Sequence, residues 1–344
     1  MKFNAAILTE LNRPLFLSEI SWNGPLDAGQ VLVRIFYSGV CGSQLGEIAG
    51  KKGPDKYLPH LLGHEGAAEV LEVGPGVRYV SPGDKVVMHW RKGLGIDALP
   101  AKFLWEGRTV NAGCVTTFSE YSVVSENRLT KLPEDFNLRI APLFGCAVTT
   151  GLGVVCNNAK IRIGESVVVF GAGGVGLNIV QGARLAGAWP VIAVDLFDNR
   201  LELAARLGAT HLVNSGKEDA FAAIRKIADP YLDVFIDNIG NADVISAGYA
   251  AVGPHGRVVL VGVPRQGDDI RMDSLPLHFG KSITGSFGGE TLPQEDIPRY
   301  IKLYRAGILE LDSLISAEYP LQKINSALED LKSGKIAGRC LIRM

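Results

Sequence analysis

Apolar and polar residues follow two different rhythms along this chain, and the change comes near residue 150. Before it, apolar runs are short and are punctuated by glycine and proline. Residues 30–37 read as a strand, with β-branched and aromatic side chains around Arg34. Residues 66–73 read as another, closed by the turn Gly74-Pro75-Gly76, and residues 85–88 as a third, entered through Gly83-Asp84. This pattern predicts an all-β region, a small distorted barrel.

Beyond residue 150 strands and helices alternate. Residues 166–170 are a continuous apolar run, as a strand covered on both faces requires. Helices are expected at 175–186, 200–207, 218–227 and 244–251, with strands at 190–194, 211–213, 233–236 and 257–261. That order implies a parallel sheet with right-handed crossovers. After about residue 286 the chain returns to irregular and helical segments, and residues 339–342 are expected to rejoin the first region as a strand. The fold class is therefore α/β, a doubly wound parallel sheet inserted into a β-rich domain. The expected domains are 1–150 and 287–344 as two parts of one, and 151–286 as the other.

Between the first apolar strand and its helix lies Gly171-Ala172-Gly173-Gly174-Val175-Gly176. This is the G-x-G-x-x-G spacing of a Rossmann dinucleotide loop. Gly171 permits the tight turn, Gly173 lets the backbone approach a pyrophosphate, and Gly176 lets helix and strand pack closely. Gly174 and Val175 open the helix whose N-terminus faces the phosphate charge. Asp195 ends the second strand, where a carboxylate bonds the hydroxyls of an adenosine ribose and repels a 2′-phosphate. The reading favours NAD over NADP. Arg200 is a second candidate contact there, or simply a solvated helix charge.

Bulk properties exclude more than they assign. The 344 residues suggest two domains. Lysine and arginine total 35 against 36 aspartates and glutamates, so nothing points to nucleic acid or an anionic membrane surface. The most apolar stretch, residues 167–183, is glycine-rich and carries Asn178 and Gln181, which fits a buried strand and helix better than a membrane span. Thr9, Glu10, Asn12 and Arg13 interrupt any apolar run after Lys2, so no secretory signal is expected. Five cysteines without paired spacing argue for a reducing compartment, the cytoplasm.

Three of those cysteine and histidine positions have glycine neighbours: Gly39-Val40-Cys41-Gly42-Ser43, Gly63-His64-Glu65-Gly66 and Gly145-Cys146. A single buried cysteine is ordinarily a small hydrophobe, and a single histidine ordinarily a satisfied polar group. Two thiolates and one imidazole, however, leave a fourth position open on a tetrahedral zinc, as catalytic zinc requires. These motifs, with Gly83-Asp84-Lys85-Val86, Phe118-Ser119-Glu120-Tyr121, Thr149-Thr150-Gly151 and the dinucleotide loop, resemble the zinc-dependent medium-chain alcohol dehydrogenases along nearly the whole chain. Val261-Gly262-Val263 and Gly285-Ser286-Phe287-Gly288-Gly289 look most like the class III and related dimeric branches.

The resemblance implies a GroES-like barrel around the Rossmann insertion, and it implies roles for residues. Cys41, His64 and Cys146 would hold one catalytic zinc. Glu65 would be either a transient fourth ligand or a carboxylate that only orients a ligand. Ser43 would take the proton of a small-molecule alcohol substrate while hydride passes to NAD. Thr150, Gly262 and Val263 would contact the nicotinamide end, and Arg339 a cofactor phosphate. The chain also departs from the pattern. Residues 91–113 contain no cysteine, so no second zinc is expected in that lobe, and its segment 92–96 is expected to form a metal-free loop, held if at all by Leu104 and Trp105 packing. Gly42 stands where relatives contact pyrophosphate, Gln44 where they support the zinc histidine with aspartate, and Gly46 where some end a proton relay. His60 is a candidate replacement for that end, and Trp90 and His89 fall at expected pocket positions. A polyol, sugar or cyclitol would suit such a pocket. A homodimer or homotetramer is implied, pairing near residues 257–263. Two other readings share the fold: a zinc-free quinone or enone reductase, disfavoured by the intact ligand set, and a binding protein without turnover.

Overall fold

The computed structural model describes residues 1–344 as two compact units. The first combines Met1–Cys146 with Leu292–Met344, and the second is Ala147–Thr291. The chain thus leaves the first unit four residues earlier than the pattern change at 150 suggests and returns at Leu292, five residues after the expected 287.

The first unit contains a closed barrel of the strands Lys2–Leu8, Phe16–Ser21, Lys102–Trp105, Arg108–Asn111 and His60–Leu61. Beside it runs a larger sheet ordered Leu129–Lys131, Lys85–Met88, Gly66–Val73, Gln30–Val40, Arg339–Arg343 and Ile315–Pro320. Three of its strands were legible from alternation. Their inward residues Val31, Val33, Ile35, Ala68, Val70, Val86 and Met88 form one continuous buried cluster. Burying each such side chain stabilises the sheet by about 1.5–3 kcal/mol before the entropy of ordering it is counted. The C-terminal strand Arg339–Arg343 does return to this unit. It runs antiparallel to Gln30–Val40 with Cys340 opposite Val40 and Leu341 opposite Gly39. That register sets Arg339 beside Cys41.

The second unit is a six-stranded parallel sheet. Its order is His211–Asn214, Val191–Asp195, Val167–Phe170, Leu232–Asp237, Val252–Leu260 and Ser282–Gly285. Counted along the chain this is 3-2-1-4-5-6, the order of a doubly wound dinucleotide fold. The helices Gly174–Leu185, Asp198–Arg206, Ala220–Ile227 and Ala242–Ala251 connect the first five strands. Val168, Phe170, Ile192, Val194, Phe235 and Val258 are buried between the layers, as continuous apolar strands require. The sheet edge is Ser282–Gly285, a short strand that the sequence pattern does not show. It pairs with residues 257–260, part of the segment expected to lie near a subunit interface. No helix is long and apolar enough to cross a membrane.

Candidate metal centre and dinucleotide loop

Four chain segments converge in the first unit. Cys41 follows the strand Gln30–Val40 and caps the helix Gly42–Ile48. His64 and Glu65 lie just before the strand Gly66–Val73, whose first residue pairs with Ser38. Cys146 ends the 3₁₀ helix Ala141–Gly145. The ligand atoms of Cys41, His64, Glu65 and Cys146 all lie within 4.8 Å of one another. Cys41 and Cys146 are buried, and Glu65 is completely so. Gly39 is required by this geometry, because a Cβ there would stand 2.2 Å from Glu65 Oε2.

The cluster fits a borderline metal ion on its own chemistry. Nε2 of His64 is buried and has no hydrogen-bond partner, a cost that a metal ligand removes. The two sulfurs compete for protons. The Cys146 thiol, the Arg339 charge and His64 hold the Cys41 thiol well below its ordinary pKa against the effect of burial. The same bond to Cys41, with burial, drives Cys146 well above its own. Burial lowers His64, but the nearby Cys41 sulfur and its charge outweigh it and raise the ring's pKa. Two soft donors, one imidazole and one carboxylate are the set that zinc takes.

Arg339, which the family resemblance places at a cofactor phosphate, is 3% exposed and packed against the cluster. Its Nη2 donates to Glu65 Oε1 at 2.7 Å and to Cys41 Sγ at 3.4 Å, and its Nε donates to Glu65 Oε2 at 3.1 Å. Both Glu65 oxygens are therefore engaged by one guanidinium in the fork geometry that arginine favours. The cause is the strand register noted above. Burial raises the Glu65 carboxyl, and Arg339 opposes that rise. A charged residue opening the apolar run Arg339-Cys340-Leu341-Ile342 was the available signal, but only the pairing tells which neighbour it meets.

Other candidate residues fall into place around these. Ser43 sits exposed in the first turn of Gly42–Ile48. Gln44 is buried and reaches both Cys41 and His64. His60 is tied to Asp55 at 2.8 Å and to the Leu61 carbonyl at 2.9 Å, so it anchors its own loop. His89 is buried between the Arg91 carbonyl and Thr130 Oγ1, and burial lowers its pKa to about 4. It braces the segment after Lys85–Met88. The loop 92–96 is not held by Leu104 and Trp105. Leu104 is exposed, and Trp105 bonds Ser18 and packs on Phe16. The buried Glu126 carboxylate does that work, accepting the backbone N–H groups of Arg78, Tyr79 and Ile96 at 2.6, 2.9 and 2.8 Å. Nothing in the sequence distinguishes Glu126 from a surface glutamate.

In the second unit the glycine loop bridges Val167–Phe170 and Gly174–Leu185. Gly171 has φ +102°, and a Cβ on Gly176 would stand 1.9 Å from the Gly171 carbonyl oxygen. A Cβ on Gly173 would meet nothing within 4 Å, so that position faces open space. Asn238, at the end of the neighbouring strand, donates to the Gly171 carbonyl at 3.1 Å and pins the loop. Asp195 accepts the backbone N–H groups of Ala172 at 2.8 Å and Phe197 at 3.1 Å, with Arg200 at 3.7 Å. Thr150 is buried in the helix Ala147–Gly153. Gly262 packs against Gly240 and Ile239, and Val263 beside it is 53% exposed.

Residues 174–306 match the zinc-binding dehydrogenase family, and residues 27–134 the alcohol dehydrogenase GroES-like domain. The chain is 35% identical to an S-(hydroxymethyl)glutathione dehydrogenase of Haemophilus influenzae, covering 97% of this chain and 96% of that protein. It is 32% identical to an alcohol dehydrogenase class-3 of Cereibacter sphaeroides, over 97% and 98% respectively. Among solved structures, an alcohol dehydrogenase zinc-binding domain protein from Burkholderia ambifaria superposes with a TM-score of 0.89 at 31% identity, covering 100% and 99% of the two chains. A benzyl alcohol dehydrogenase from Acinetobacter calcoaceticus does so with a TM-score of 0.89 at 29% identity and the same coverage. The chain belongs to the zinc-dependent medium-chain alcohol dehydrogenases, oxidoreductases that use zinc and a nicotinamide dinucleotide to pass hydride between an alcohol and its carbonyl.

Proposed function

We propose that Cys41, His64 and Cys146 hold the catalytic zinc of this dehydrogenase, and that its cofactor is NAD. The convergence of their ligand atoms within 4.8 Å, with an unpartnered His64 Nε2 among them, carries the metal assignment. The Asp195 carboxylate at the end of Val191–Asp195 supports NAD, since it suits ribose hydroxyls and repels a 2′-phosphate.

When bound, zinc supplies a positive charge that acidifies an alcohol hydroxyl and, in the reverse direction, polarises a carbonyl. The residues do the rest. Cys41 and Cys146 donate two thiolates, and Arg339 sets a countercharge beside Cys41. Glu65 is held back by Arg339, close enough to serve as an exchangeable ligand. Ser43, exposed beside Cys41, accepts the substrate proton and hands it to water. In the second unit Gly173 leaves room for the pyrophosphate, and the helix Gly174–Leu185 directs its N-terminus there. Thr150, Gly262 and Val263 serve the nicotinamide end.

The substrate is a primary or secondary alcohol, with polyols, sugars and cyclitols as the classes that the shortened lobe and altered pocket suit. Self-association runs through the exposed sheet edge Ser282–Gly285. Five free cysteines fit a cytoplasmic setting. An NAD⁺-coupled screen of aromatic alcohols, polyols, sugars and cyclitols, run alongside zinc analysis, tests the reading. About one zinc per chain with zinc-dependent NADH formation is expected. A fully active chain without zinc would refute it.

A further inference from the structure

Gln44 lies behind the metal cluster, 1% exposed, in the helix Gly42–Ile48. Both ends of its side-chain amide meet metal-site residues. Oε1 accepts the Cys41 backbone N–H at 3.2 Å, and Nε2 stands 2.6 Å from Nδ1 of His64. The Cys41 N–H can only donate, which fixes the orientation of the amide. Nε2 of Gln44 therefore donates to His64, and Nδ1 is the nitrogen that accepts. The ring proton then sits on His64 Nε2, the nitrogen without a partner that stands 3.8 Å from Glu65 Oε1.

A metal ion needs that nitrogen bare. Loading the site moves the ring proton to Nδ1 without changing the number of protons on the imidazole. Nδ1–H and the Cys41 N–H then both require an acceptor, and the amide offers one oxygen for the two. A carboxylate would serve both.

We propose that Gln44 is a positioning residue that holds His64 in its metal-free tautomer and thereby loosens zinc. Loading requires the amide to turn over or to share its oxygen, and the centre exchanges its metal more readily than one backed by a carboxylate. This inference rests on the metal reading above.

Two measurements on the full chain test it. In metal-free protein with ¹⁵N-labelled histidine, long-range ¹H–¹⁵N correlations are expected to show His64 as the Nε2–H tautomer, and the zinc-loaded protein as Nδ1–H. The isosteric variant Gln44→Glu is expected to show Nδ1–H already without metal, and to bind zinc about tenfold more tightly in competition with a chromogenic chelator. A metal-free wild type already in the Nδ1–H form overturns the proposal, as does a folded Gln44→Glu that binds zinc no more tightly. If that variant does not fold, the wild-type tautomer decides alone. A wild type that takes up no zinc at all overturns the metal reading itself, which is a separate result.

Discussion

The metal cluster gathers side chains from positions 41, 64, 65, 146 and 339, whereas the dinucleotide loop is six consecutive residues that contribute backbone and empty space. The first concentrates charge away from water. Glu65 and Arg339 are both buried, and each is tolerable only because the other is present. The second contains almost no side chain at all, and what it demands is the absence of Cβ atoms. Damage to the cluster should therefore appear as lost chemistry or an unpaired charge. Damage to the loop should appear as overpacking or lost cofactor binding.

The sharpest way to break this contrast is to remove a ligand. His64→Ala or Cys146→Ser should lower turnover by about 10³-fold or more, the scale of losing a metal's electrostatic contribution. NADH binding, followed by fluorescence titration, should stay within about twofold, because the loop belongs to the other unit. Turnover within tenfold of wild type would remove the cluster from the catalytic site.

Arg339→Met tests whether buried charge governs the cluster. It strands the Glu65 carboxylate, and breaking a buried pair from one side costs about 3–5 kcal/mol. Urea unfolding should show that loss, and adding Glu65→Gln should recover most of it. A double variant as unstable as Arg339→Met alone would show that the two do not act as a pair.

The loop separates two glycines that look equivalent in the motif. Gly176→Ala places a Cβ against the Gly171 carbonyl and should destabilise the unit by about 1–3 kcal/mol. Gly173→Ala enters open space, so stability should change by less than about 0.5 kcal/mol while KM for NAD rises at least tenfold. Thermal unfolding and steady-state kinetics on the two variants read both quantities. Equal effects would mean that the open space at Gly173 is not where the pyrophosphate sits.

The same contrast explains what the sequence revealed. The loop is local: strand, glycines, helix and terminal aspartate follow one another, and short-range physics fixes their arrangement. The parallel sheet was legible for the same reason, because each crossover is a neighbouring strand and helix. The cluster is long-range. Its glycine-flanked fragments could be named, but strand register determines whom Arg339 meets, and a single chain does not display register. Glu126 was missed for a similar reason: it bonds only backbone N–H groups, which every residue but proline carries. The edge strand Ser282–Gly285 is four residues with little burial, too short for any period to show.

Asp237 extends the comparison to charge within the dinucleotide unit. It ends the strand Leu232–Asp237, is fully buried, and accepts the N–H groups of Ile239 at 3.3 Å and Gly240 at 3.0 Å. Unlike Glu65, it has no guanidinium fork. Burial raises its pKa to about 6, against the pull of those N–H groups. The folded chain then binds a proton more tightly than the unfolded one, whose aspartates titrate near about 4. This group's contribution is harmless below about pH 4, falls as pH rises between about 4 and 6, and stays unfavourable above, by on the order of 2 kcal/mol. Asp237→Asn keeps an acceptor oxygen without the charge. It should raise the urea midpoint at pH 7 and leave it nearly unchanged at pH 4. Glu65→Gln should do the reverse at pH 7, because it leaves Arg339 buried without its partner. If both substitutions shift stability in the same direction at pH 7, a partner's presence does not decide the sign. If the Asp237→Asn shift is independent of pH, the Asp237 charge is not the destabilising element.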